Sequence, residues 1–229
     1  MPTPIDDPQA MDDEWTHHAL RLYRRYQEEI VEACGLCPWA VRARMGGRVC
    51  ERALLQQDDA SVEPSLDVLL ELSEASVDVA LLIYPRLRGR SGGRAAFEQF
   101  ATRVREADVA RWPLGRVPFV CAVFHPEAQA DTTDAERLIP FLRRTPDPTL
   151  QFVRVSVLDR VRNVAAQGTQ FVDPRLLHEM GEATPPLREQ IARANLATAE
   201  RLGVETLRRR MDDIARDREA AYGALAGLD

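Results

Sequence analysis

Two cysteines in the stretch Ala33-Cys34-Gly35-Leu36-Cys37-Pro38-Trp39-Ala40 are the first residues in this chain with chemistry to offer. A Cys-x-x-Cys pair of the thioredoxin type follows a strand. This pair follows a long helical pattern, which argues against that redox arrangement. Proline is favoured at the first position of a helix. Cys37 therefore reads as the cap residue of a short helix running through Arg44. A thiol there would feel the positive end of the helix dipole, which favours the thiolate, the form that attacks and ligates. The plainer alternative is a small buried hydrophobe.

A second set of candidates lies at two strand ends, Ile83-Tyr84-Pro85 and Phe124-His125-Pro126. Proline holds the preceding residue extended and ends the ladder. If the two strands run parallel, Tyr84 and His125 share one edge of the sheet, where ligands settle in open α/β folds. Cys121 and His125 have the same strand parity and face one side. With Cys34 and Cys37 they could compose a zinc site, although the spacing is permissive and zinc is the lesser alternative. His17, His18 and His178 read as surface residues. Arg86, Arg88, Arg90 and Arg94 surround Ser91-Gly92-Gly93, which is either an anion-binding helix start or a solvated basic loop. Arg143-Arg144-Thr145-Pro146-Asp147-Pro148 is a proline-pinned basic turn, either an anion clamp or a structural corner.

These residues need a scaffold. Residues 1–11 read as a flexible tail. From Asp12 to Ala33 apolar side chains recur at Trp15, Ala19, Leu22, Tyr23, Tyr26 and Ile30, which is helical spacing, and Gly35 is a stop signal. Gly46-Gly47 closes the short helix. Strands are expected at Arg48–Leu55, Val77–Tyr84, Val117–Phe124 and Leu150–Arg154, the middle two apolar enough to be buried on both faces. Helices are expected at Pro64–Leu72, along Ala96, Phe97, Phe100, Val104 and Ala107, and from a capping box at Ser156–Asp159. The segment between the third and fourth strands reads as a loop. Together these predict an α/β domain over residues 12–180. Its small three- to four-stranded sheet is sandwiched with helices, either parallel throughout or mixed as in ferredoxin-like folds. After a linker at Gly181–Pro186, residues 187–229 form a long C-terminal helical extension. Its stripe of Val204, Leu207, Met211 and Ile214 either packs on its own domain or seats a second copy as a homodimer.

Composition excludes several classes. The net charge is −6, where a dedicated nucleic-acid binder would be basic. All 30 basic residues are arginine. Lysine Schiff-base chemistry, pyridoxal phosphate attachment and the Walker A lysine are therefore out. The longest apolar runs fall far short of a membrane span. The acidic N-terminus lacks the features of a secretion signal. The expectation is a cytoplasmic protein with reduced cysteines and no membrane partner.

The segments "GLCPWA", "LLIYP", "VFHPEAQADTTDAE" and "RRTPDPTLQFVRVSVLDRV" come in an order that resembles the bacterial family called domain of unknown function 1415, over about Tyr23 to Ala165. The shared positions are Cys37, Pro38, His125, Pro126, Arg144, Pro146 and Pro148; Cys34 and Cys121 are not among them. The chain departs from the family pattern in three places. Trp39 stands for a phenylalanine, Asp147 for the tyrosine of a Pro-Tyr-Pro turn, and the helices after Pro186 are extra. The Cys-Pro-Phe-Ala segment of that pattern also resembles haem-dependent oxygenases that N-hydroxylate amino acids. That looser resemblance implies a haem cofactor with His125 or Cys37 as the metal ligand. Trp39, Tyr84, Arg143 and Arg144 would stand about it, the arginines on its propionates.

Three functions are thus expected of the sequence. The first is a haem- or iron-dependent oxidative enzyme acting on a small amine or amino-acid-like substrate, with Cys37 and His125 as its catalytic pair. The second is a metal-free thiol enzyme, with Cys37 as nucleophile and His125 as base on a small anionic substrate. The third is a binding or assembly protein without catalysis.

Overall fold

The computed structural model describes residues 7–37, 40–58, 60–87, 92–128, 135–159 and 187–226. The first helix, α1, spans Pro8–Tyr26 and starts earlier than expected. Asp7 caps it by accepting the Gln9 amide, and proline occupies the first turn. It runs directly into a π-helical segment, Gln27–Glu32, so the whole stretch behaves as one long element up to Gly35, whose φ is +65°. Helix α2 covers only Ala40–Met45 and ends at Gly47, where φ is +64°. Residues 38 and 39 lie outside the described residues, and with them Trp39. The remaining elements are β1 (Val49–Ala53), α3 (Glu63–Ser73), β2 (Val79–Ile83), α4 (Arg94–Arg111), β3 (Phe119–Phe124), α5 (Ala135–Leu142), β4 (Thr149–Arg154), α6 (Leu187–Leu202) and α7 (Val204–Ala226). A helix also opens over 155–159, as the capping box predicts. The linker at 181–186 lies outside the described residues.

The four strands form one mixed sheet in the order β1-β2-β4-β3. β1 and β2 are parallel, and β4 runs antiparallel between β2 and β3. Three strands therefore point the same way, and the carboxyl ends of β2 and β3 share one edge, separated by the start of β4. Alternation along the strands divides the core in two. Ala80, Leu82, Tyr84, Phe119, Leu150 and Phe152 meet α3 and α4 on one face. Leu81 and Ile83 meet α1, α5, α6 and α7 on the other. The result is a helix–sheet–helix sandwich.

One element differs from expectation. The segment read as a loop contains α5, with Leu138, Phe141 and Leu142 buried; Pro140 inside it masks the helical pattern. The C-terminal extension packs on its own domain, one of the two arrangements expected of its apolar stripe. Leu207, Met211, Ile214, Tyr222 and Leu225 are buried in the same core as Trp15, Leu22 and Tyr26 of α1. The apolar stripe is consumed within the chain. Gly203, at φ +81°, breaks the extension into α6 and α7.

Two ion-pair sets bind α7 to α1. Arg21 grips both oxygens of Asp217 at 2.7 and 2.8 Å, and Arg25 reaches Asp217 at 2.5 Å and Asp213 at 3.0 Å. The Arg21 and Arg25 guanidiniums hold the Asp217 carboxyl down at about 2.

Candidate functional site

His125 follows the last residue of β3 and turns toward α4. It is buried, and its ring packs 5.8 Å from that of Phe97. Nδ1 accepts the Glu127 backbone N–H at 3.1 Å, and Nε2 lies 2.8 Å from the Gly92 carbonyl. A carbonyl can only accept, so Nε2 carries the proton and both nitrogens are occupied. Burial lowers the imidazole below its ordinary 6.5, partly offset by the Gly92 carbonyl. The Glu127 carboxylate in turn accepts the Arg94 amide at the start of α4. Gly92 is packed so tightly that a Cβ there would sit 2.5 Å from the Leu87 carbonyl oxygen, which leaves room only for glycine. The Phe-His-Pro-Glu segment is thus a staple that ties β3 to the loop before α4.

Tyr84 occupies the same edge and the same face, as expected. It is fully buried, its hydroxyl 2.8 Å from Ser65 Oγ and its ring edge-on to Phe97 and Phe100. Burial raises its phenol, and nothing of it is open to a cofactor.

Cys37 belongs to the other face. It is half-buried and close enough to Tyr23 and Tyr26 of α1 to contribute to their raised phenols, which burial chiefly causes. No hydrogen bond joins it to His125, whose partners are Gly92 and Glu127. The expected dyad is thus not hydrogen-bonded in this structure. The described part of α2 is Ala40–Met45, and the Ala40 amide donates to the Cys37 carbonyl at 3.2 Å.

The remaining cysteines are scattered. Cys34 packs in the α1 core, with Arg210 Nη1 3.8 Å from its sulfur. Cys50 and Cys121 face α3 and α4, and burial pushes the Cys121 thiol up to about 12. Among the described residues no group of three or more His, Cys, Asp or Glu is arranged to hold a metal ion.

The basic segments separate in the same way. Arg86 pairs with Asp12 at 3.0 Å over the Trp15 ring, and Arg94 with Glu98 at 2.9 Å. Arg88, Arg90 and Ser91 lie outside the described residues. Arg143 lies over the Phe124 ring, and its backbone carbonyl accepts the His125 amide. Arg144 donates from Nε to the Pro126 carbonyl at 3.0 Å and from Nη1 to Asp212 at 2.9 Å.

Arg144 opens onto the feature that the sequence did not announce. A cavity of about 190 Å³ lies between the Pro126-Glu127 segment, the turn Arg144-Thr145-Pro146, Tyr26 of α1, and Met211, Ile214, Ala215, Arg218 and Glu219 of α7. Its floor is buried at Thr145 and Pro146, and Glu127 and Glu219 are exposed at its mouth. The Tyr26 hydroxyl is spent on the Leu142 carbonyl, at 2.5 Å.

Beneath the cavity sits Asp147, with no exposed surface. Its Oδ1 accepts Arg218 Nε and its Oδ2 accepts the Tyr222 hydroxyl, each at 2.7 Å. Its backbone carbonyl accepts both Thr145 and Thr149 hydroxyls, which pins the turn. Arg218 makes no further hydrogen bond among the described residues, so its two Nη groups are left for the cavity it lines. The i, i+4 spacing of Arg218 and Tyr222 placed them on one face of α7; what they would meet there had no signal in the sequence.

The haem expectation can be tested on these residues. An axial imidazole needs a free nitrogen lone pair, and both His125 nitrogens are engaged. The cavity of about 190 Å³ is smaller than the roughly 300–1,000 Å³ of sites for drug-sized ligands. His125 as it stands offers no nitrogen to iron, whereas Cys37, the other expected ligand, is a free, half-buried thiol.

Fold and site define a helix–sheet–helix sandwich with a small, mixed-charge cavity where the shared strand-end and turn motifs meet a C-terminal helix. The chain belongs to the family described as protein of unknown function (DUF1415), whose pattern matches residues 19–173. No curated protein and no solved structure matches it. Helices α6 and α7, and with them half the cavity wall, lie beyond the matched residues. Among the described residues no helix is long and apolar enough to cross a membrane.

Proposed function

We propose that the protein binds a small amino-acid-like zwitterion in the cavity between the Pro126-Glu127 segment, the Arg144–Pro146 turn and α7. The observation that carries this reading is chemical. The Nη groups of Arg218, which have no hydrogen-bond partner among the described residues, line one cavity with the carboxylates of Glu127 and Glu219 and with Met211, Ile214 and Pro146. A ligand carboxylate pairs with the planar guanidinium. Its ammonium sits at the acidic mouth, and a short apolar side chain covers Met211 and Ile214. A volume of about 190 Å³ corresponds to about six waters, the bulk of a small amino acid.

This keeps the amino-acid-like substrate and leaves the reaction open. An oxidative step here needs a group other than His125 to hold iron. A thiol step needs Cys37 to work with a base other than His125.

The test is a calorimetric titration of the full chain with L-leucine, isoamylamine and 4-methylpentanoate. The zwitterion should bind at least about tenfold more tightly than either one-charge analogue, since each lost charged hydrogen bond costs about 1.5–3 kcal/mol. Equal binding of all three, or none, would sink the reading.

A further inference from the structure

We infer that Asp147 and Arg218 together make the carboxylate selector of this cavity, with Arg218 the specificity-determining residue and Asp147 its positioning residue. The inference rests on the amino-acid-like reading and assigns the residues that enforce it. Asp147 has no exposed surface and both of its oxygens are taken by α7, through Arg218 Nε and the Tyr222 hydroxyl. The Arg218 guanidinium also lies 5.0 Å from the centre of the Tyr222 ring. One edge of the guanidinium is thus fixed by a carboxylate and one face by an aromatic ring, while its Nη groups have no hydrogen-bond partner among the described residues and Arg218 lines the cavity wall. An arginine that is already oriented loses little freedom when it takes a ligand carboxylate.

A second observation joins this to the sequence. Asp147 lies inside the residues that match the family, 19–173, and α7, which brings Arg218 and Tyr222 to it, lies outside them. A buried carboxylate without a cation is costly. Asp147 is tolerated because α7 brings Arg218, and Arg218 is aimed because Asp147 is there. The turn and the helix are two halves of one device, which narrows the cavity to ligands that carry a carboxylate.

The experiment compares L-leucine and isoamylamine on the full chain, wild type against Arg218→Gln, Asp147→Asn and the double variant. Arg218→Gln should weaken L-leucine by about tenfold or more and leave isoamylamine within about twofold. Asp147→Asn should show the same selective loss with the arginine still present. The double variant should be no weaker than Arg218→Gln alone, because Asp147 acts through Arg218. If Asp147→Asn does not fold, Arg218→Lys carries the test: it keeps the charge, lacks the planar fork, and should lose the same preference. Discrimination that survives in Asp147→Asn, or losses that multiply in the double variant, overturn this inference alone. Equal loss for both probes means that Asp147 is merely structural and overturns it too. A wild type that does not prefer L-leucine overturns the amino-acid-like reading as well.

Discussion

The two faces of the sheet are built on different principles. On the α3/α4 face, Tyr84, Phe97, Phe100 and Phe152 form a sealed apolar layer, and its one histidine spends both nitrogens on backbone groups. On the α1/α7 face, buried apolar residues alternate with guanidinium–carboxylate pairs, and a cavity remains at the edge. Two of the candidate residues, Tyr84 and His125, have their polar atoms engaged within the first face. The ligand-sized space belongs to the second, and residues of ordinary surface type line its mouth. A strand end gathers motif residues; whether they serve a ligand or the fold depends on whether their polar atoms are already satisfied.

Four changes would break or sharpen this contrast. Phe97→Ala should cost about 3–5 kcal/mol in urea unfolding, because its ring lies between those of Tyr84, Phe100 and His125. A loss below about 1 kcal/mol would mean that this face is not sealed.

His125→Ala should cost about 1–3 kcal/mol by orphaning the Glu127 amide and the Gly92 carbonyl. Burial lowers the His125 imidazole below 6.5. Its contribution is therefore complete above about pH 6.5 and is lost as pH falls through the folded value. The gap between wild type and His125→Ala should shrink from about pH 7.5 to about pH 5. A constant gap would argue that the ring does not act as an acceptor.

Asp217 reports on the other face. Its carboxyl sits at about 2 against an ordinary 3.8, so its stabilisation is present above about pH 4 and disappears as pH falls through about 2. Relative to Asp217→Asn, the wild type should lose about 1–2 kcal/mol between about pH 5 and about pH 2. Parallel stability curves would show that the Arg21 and Arg25 pairs do not hold α7.

The smallest effect is expected at Cys37. Cys37→Ala should leave L-leucine affinity within about twofold, a change below about 0.5 kcal/mol, because Cys37 does not line the cavity. A large loss would return the thiol to the site.

Strands were legible because β2 and β3 are short apolar runs between turn signals, and each begins or ends within two residues of its expected position. The long helix of α1 followed from its apolar spacing, although Pro8 started it earlier than a tail reading allowed. Helix α5 was hidden by Pro140, which a pattern reads as a breaker although the packing of Leu138 and Phe141 overrides it. Of the site, the turn Arg143–Pro148 was recognised as an anion clamp or a corner. It is a corner through Asp147 and a cavity wall through Arg144.

By itself the sequence determined the α/β class, the four strands and most of the helices, the absence of lysine chemistry and the family. These follow from local periodicity and composition, which act over a few residues. Only the tertiary structure decided that α7 belongs to the core, that Asp147 answers Arg218 across 71 positions, and that His125 is a staple. Burial and hydrogen-bond partnership arise between segments remote in the chain, and a side chain's chemistry depends on which of its atoms those segments leave free.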